Sequence, residues 1–130
     1  TSGGTEADNM AIRCSVHDLG VKHLISTRIE HHAVTHTLDS IEADGEARVS
    51  YLRLLPNGHV DMQHLEELLQ QEGPTLVTLM HGNNEIGNMI DIDEVAHLCK
   101  QHQAYFHSDT VQTMGYFPFD LQRTPVDFLN

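Results

Sequence analysis

The sequence predicts an α/β fold: a three-layer α/β/α arrangement around a mainly parallel sheet. Three observations lead there. Short apolar runs alternate with helical patterns along the whole 130 residues. The links between them are short, so parallel strands joined by crossover helices account for the order. Several of the runs are continuously apolar, as strands covered on both faces are.

The elements follow in order. "TEADNMAIRCSVHDLG" reads as a helix on which Met10, Ile12, Val16 and Leu19 would share a broad face, with Gly20 as its stop. "VKHLISTR" is a short strand. "EHHAVTHTLDSIEADG" places Val34, Leu38 and Ile41 at helical spacing and ends at Gly45. "ARVSYLRLL" alternates as a strand and breaks at "PNG", a turn signal. "DMQHLEELLQQEG" offers Asp61 as an N-cap and Leu65, Leu68 and Leu69 as an inward face. "PTLVTLMHG" is a buried strand, and "DIDEVAHLCKQHQ" a helix with Val95, Leu98 and Cys99 inward. "AYFHSD" is a strand, and "VDFLN" looks like the start of another. No repeat, linker or low-complexity tract interrupts the series.

Charge narrows the function classes. Seven basic residues against nineteen acidic ones give a formal charge of −12. Such a surface does not neutralise nucleic-acid phosphates or dock on an anionic membrane. No apolar run approaches the length of a membrane span. Cys14 and Cys99, without CxxC spacing, read as buried free thiols on helices, which fits a cytoplasmic setting. The opening "TSGGTEADNM" lacks an initiator methionine and reads as a loop entering a helix, as if cut from a longer chain.

In open parallel sheets, ligands bind beyond the carboxyl ends of the strands. Three polar clusters fall at that edge: "EHH", "HGNNEIG" and "HSDTVQ". "TSGGTE" adds a glycine-rich loop running into a helix, with hydroxyls at Ser2 and Thr5 and no Walker lysine. Free amides and the positive end of the helix dipole there suit a phosphate. Taken alone, the same residues are compatible with an ordinary helix start capped by Thr5. His31 or His32 would face the cleft, to stack on an aromatic ligand or move protons. Two asparagines in "HGNNEIG" could direct amides to a ligand or merely form a turn. Zinc is less well supported: His31, His81, His107 and Asp109 lack HExxH, HxH or cysteine-pair spacing. Asp109 is the sharpest signal, because a carboxylate ending a core strand needs a charged or hydrogen-bonding partner. A protonated heterocyclic nitrogen, as in pyridoxal phosphate, would be one.

"TSGGTEADNMAI", "EHHAV", "NNEIG" and "HSDTVQTMGYFPFDL", in this order over essentially the whole chain, resemble the fold-type I pyridoxal-phosphate enzymes of aminotransferase class V. They are most similar to cysteine desulfurases of the iron–sulfur cluster assembly branch. The resemblance implies pyridoxal 5′-phosphate as cofactor, with Gly4 and Thr5 at its phosphate and His31 stacked on the ring and assisting proton transfer. It implies Asn84 and Gln112 near the ring hydroxyl and substrate, and Asp109 at the pyridine nitrogen. His107, two residues before Asp109, would share its face and support the site.

On this resemblance, residues 1–130 form part of the large cofactor-binding domain. The N-terminal arm, the Schiff-base lysine segment, the loop cysteine that takes the sulfur and the C-terminal small domain lie outside it. Lys22, Lys100, Cys14 and Cys99 do not match the family's lysine and cysteine, so these 130 residues alone are expected to be inactive. The parent would convert L-cysteine to L-alanine, pass sulfur as an enzyme persulfide to an acceptor or scaffold protein, and form a homodimer. The alternatives are another class V enzyme (a selenocysteine lyase, a kynureninase-like hydrolase or an aminotransferase) and, from a different class, a histidine-rich metal-binding module.

Overall fold

The computed structural model describes residues 1–83 and 85–130. Five parallel strands form the central sheet: β1 (His23–Ser26), β2 (Arg48–Tyr51), β3 (Thr75–Thr78), β6 (Tyr105–Ser108) and β7 (Phe128–Leu129), in the order β2-β1-β3-β6-β7. The helices are α1 (Gly4–His17), α2 (His32–Ala43), α3 (Met62–Leu69) and α4 (Ile92–Gln101).

Strand alternation divides the core into two halves. Leu24 and Leu76 pack with Ile12, Val16, Val34, Leu38 and Ile41 of α1 and α2. Their neighbours Ile25, Val77 and Phe106 pack with Leu65, Leu68, Leu69, Val95 and Cys99 of α3 and α4. Successive residues of a strand point to opposite faces, so the sheet is covered on both sides and the three layers follow. This is why β1 and β3 are buried along their whole length.

The caps of α3 and α4 are aspartates: Asp61 accepts from the His64 amide at 3.1 Å, and Asp91 from that of Glu94 at 3.0 Å. The "PNG" turn closes with Gly58 at φ +82°, a left-handed conformation that favours glycine.

Three expectations are corrected. Met10 and Leu19 are exposed, not part of the α1 face. Two residues span about 200° of helix, so Met10 cannot share a stripe with Ile12, and Leu19 lies past the helix end at His17. Cys14 is only half-buried for the same geometric reason, whereas Cys99 is buried; both are free. A small antiparallel hairpin, β4 (Gly82–Asn83) with β5 (Asn88–Met89), occupies what reads in sequence as a polar loop.

The order of the sheet reverses around β1: the chain moves outward to β2, then returns to the other side at β3. The loops leaving the carboxyl ends of β1 and β3 therefore diverge, and a crevice opens between them.

Candidate functional site

A cavity of about 380 Å³ fills that crevice. Its wall comes from four places: Gly4, Thr5 and Asp8 of α1, Ile29 and His31 after β1, Met80, Asn83 and Glu85 after β3, and Asp109, Val111 and Gln112 after β6. Gly4, Thr5, His31, Asp109 and Gln112, separated by up to 108 positions, thus meet at one void. Asn84 lies outside the described residues.

At α1, Gly3 is the N-cap residue and no side chain caps the helix. The first amide bonded within the helix is that of Ala7, to the Gly3 carbonyl at 3.1 Å. Glu6 turns away, accepting from the amide and hydroxyl of Ser2. Thr5 is therefore not the cap, and the amides of the first turn reach the cavity wall without a side-chain acceptor. Gly4 also permits close approach, since a Cβ there would stand 2.8 Å from Val111 Cγ2.

His31 is itself the N-cap of α2, its Nδ1 accepting from the Ala33 amide at 3.1 Å. That bond leaves Nε2 as the ring atom able to carry a proton while the cap persists. His32 points elsewhere, its ring 5.6 Å from that of His36.

Asp109 is buried. One oxygen, Oδ1, accepts from the Val111 amide at 3.0 Å. Among the described residues, no lysine or arginine pairs with it. It is neither turned into bulk water nor tied to a guanidinium. It sits at the wall of a cavity.

Two further buried carboxyls surround it. Asp8 is 1% exposed, and its Oδ1 accepts from Asn130 Nδ2 at 2.9 Å. Burial, reinforced by the charge of Asp109, raises it to about 6. Glu30 accepts from the Thr27 hydroxyl at 2.9 Å and the Met80 amide at 2.8 Å. Burial pushes it up to about 8 against those two bonds, with Asp109 and Asp8 adding to the rise. The crevice is an anionic pocket without a fixed cation among the described residues, suited to a positively charged ring or amine.

His107 does not reach this cavity. Its Nδ1 meets the Thr78 hydroxyl at 2.8 Å and its Nε2 meets Asn130 Oδ1 at 2.7 Å, placing it beneath Asp8. Burial lowers its pKa, which favours the neutral ring. His81 Nδ1 bonds the Thr113 hydroxyl at 2.8 Å, with its ring against Phe117 and Phe119. The histidines proposed for a metal centre are thus engaged separately, and no group of three or more metal-ligating side chains occurs among the described residues. Lys22 and Lys100 are exposed and outside the cavity wall.

Asp8 and Glu30 are absent from the residues that the sequence offers as ligand-binding, and Asn83 enters only as one of the two asparagines in "HGNNEIG". Asp8 carried a readable signal: it lies four residues before Ile12, a charge on the apolar stripe of its helix. Glu30 and Asn83 fall within the "EHH" and "HGNNEIG" clusters, but their roles were not legible there, because their partners are about 50 residues away in the chain.

The family described as aminotransferase class-V matches residues 1–130. The chain is 46% identical over 133 residues to the putative cysteine desulfurase IscS 1 of Bacillus subtilis (strain 168), covering all of this chain and 34% of that protein. The NifS-like protein of Rickettsia africae ESF-5 superimposes with a TM-score of 0.83 at 32% identity, covering 99% of this chain and 34% of that one. The structure described as SspA in complex with cysteine gives a TM-score of 0.90 at 30% identity, over 99% of this chain and 37% of that one. The chain spans about a third of the length of the curated relatives it matches. The chain belongs to the aminotransferase class V family, whose enzymes use pyridoxal 5′-phosphate.

Proposed function

We propose that this chain is part of the large cofactor-binding domain of a cysteine desulfurase. The whole protein would convert L-cysteine to L-alanine and pass the sulfur, as an enzyme persulfide, to an acceptor in iron–sulfur cluster assembly or another sulfur pathway. It would act in the cytoplasm as a homodimer. One observation carries the reading: a buried carboxylate, Asp109, faces a cavity with no cation of its own among the described residues.

The donor set fits pyridoxal 5′-phosphate. Amides of the first turn of α1, with the Thr5 hydroxyl, would take the phosphate at the positive end of the helix dipole. Asp109 would hold a proton on the pyridine nitrogen, its negative charge favouring the protonated ring. His31 would lie against the ring face, with Nε2 as the atom that carries and gives up a proton, because Nδ1 is spent on the Ala33 amide. Gln112 and Asn84 would supply amides near the ring hydroxyl and substrate. When bound, the cofactor supplies an electron sink for a carbanion at the substrate α-carbon. The lysine that anchors it and the cysteine that takes the sulfur would come from the rest of the whole protein, since Lys22, Lys100 and Cys99 are remote from the cavity wall.

The test is alanine formation from L-cysteine by the whole protein, wild type against Asp109→Ala. Loss of about a hundredfold or more in kcat is expected, in the range of removing a preorganised charge from an active site. Unchanged turnover in Asp109→Ala, or a folded wild type that does not bind pyridoxal 5′-phosphate, would overturn the reading.

A further inference from the structure

We propose that Glu30 is a positioning residue: its carboxyl clamps the β1–α2 loop onto the end of β3 and so holds His31 at the cavity. The inference rests on the reading that this cavity takes pyridoxal 5′-phosphate.

Glu30 is the residue immediately before His31, yet it is 8% exposed and does not line the cavity. Its two oxygens serve two elements. Oε1 accepts from Thr27 of its own loop, and Oε2 accepts from the backbone amide of Met80, just past β3. A second link runs the other way between the same segments, from Asn83 Nδ2 to the Ile29 carbonyl at 2.9 Å. Ile29 and Glu30 are therefore fastened to the segment carrying Met80 and Asn83, and His31, which lines the cavity, is the residue that follows this anchored pair. Beside these ties, the His31 cap fixes the loop's entry to α2, and Arg28 lies 3.9 Å over the Tyr51 ring.

The choice of residue is costly. A carboxyl is buried here near Asp8 and Asp109, and no lysine or arginine pairs with it among the described residues. Burying an unpaired charge is unfavourable, and an apolar side chain would fill the space at lower cost. No apolar side chain can accept both hydrogen bonds. The clamp requires an acceptor for the Met80 amide and a hydrogen-bonding partner for the Thr27 hydroxyl, not a charge.

That distinction makes the proposal testable by conservative replacement. In Glu30→Gln, the amide oxygen can accept from Met80 while the NH₂ group donates to the Thr27 hydroxyl oxygen, so both ties persist without ionisation. Glu30→Ala abandons both and leaves the Met80 amide without its acceptor.

The experiment is a titration of the whole protein with pyridoxal 5′-phosphate, followed by visible absorbance, for wild type, Glu30→Gln, Glu30→Ala, His31→Ala and the double variant. Glu30→Gln is expected within about twofold of wild type in Kd, and Glu30→Ala and His31→Ala weaker by about tenfold each. The double variant should be no weaker than His31→Ala, because a clamp acting through one ring has nothing to hold once that ring is gone. Losses that multiply in the double variant, or wild-type affinity in Glu30→Ala, would sink this proposal while leaving the cofactor reading intact. Failure of the folded wild type to bind defeats both. Should Glu30→Ala not fold, Thr27→Val takes its place by removing the Oε1 donor without leaving a void. It should weaken binding about threefold or more, and an unchanged Kd would overturn the clamp.

Discussion

Asp8 Oδ1 and His107 Nε2 lie 3.5 Å apart, and Asn130 joins them by donating to the carboxylate and accepting from the imidazole. The Asn130 carbonyl also accepts from the amide and hydroxyl of Thr110. The first turns of α1 are thereby tied to the ends of β7 and of β6, the strand that delivers Asp109. His107 lies beneath Asp8 and does not line the cavity.

Asp8→Ala should destabilise the fold by about 1–3 kcal/mol, because the Asn130 amide loses its nearer acceptor and keeps only the Gly4 carbonyl, at 3.5 Å. Asp8→Asn keeps an acceptor oxygen and should cost less. Urea unfolding of the two variants checks the order, and equal losses would show that the hydrogen bond is not what Asp8 contributes. In the wild type, ¹⁵N spectra should show His107 as the neutral Nε2–H tautomer at pH values where ordinary exposed histidines already carry a second proton, since burial lowers its pKa.

Glu30 should make stability fall as pH rises. Its pKa goes from the ordinary 4.5 to about 8 on folding, so the folded state binds the proton more tightly than the unfolded chain. The favourable contribution is complete below about pH 4.5 and disappears as pH climbs to about 8. Asp8 acts in the same direction between 3.8 and about 6. Each unit of difference corresponds to about 1.4 kcal/mol. Glu30→Gln, which cannot ionise, should therefore gain on the wild type between pH 5 and 8. Parallel stability curves for the two proteins across that window would contradict the assignment.

The two thiols should differ in reactivity. Burial pushes Cys99 up to about 12 and seals it within the α4 face of the core. Cys14, half-buried on α1, is also raised but reaches solvent. Alkylation of the native protein at neutral pH, read by peptide mass, should mark Cys14 slowly and Cys99 only on unfolding, because the thiolate is the reacting species. Comparable labelling of both in the native state would be incompatible with this packing.

How much was written in the order of residues can be judged element by element. The spacing of Val34, Leu38 and Ile41, the continuous apolar runs "HLIS" and "TLVT", and the aspartate cap at 61 specify helices, strands and their boundaries. Local periodicity is a property of neighbours in the chain, and it survives without knowledge of the rest. Asp109 stands out locally as a carboxylate that ends a core strand, whereas Gly4, Thr5, His31, Asn84 and Gln112 were named as site residues by the resemblance to aminotransferase class V. Met10 and Leu19 show where the same reasoning overreaches, since hydrophobic character does not by itself say which stripe of a helix meets the sheet. Which face is buried, that Asp8 lies under Asp109, that Glu30 reaches Met80, and that His107 lies beneath Asp8 were decided by tertiary structure alone. Those contacts join segments 29 to 122 positions apart, and their energies depend on burial, a quantity that exists only once the sheet has been covered on both sides.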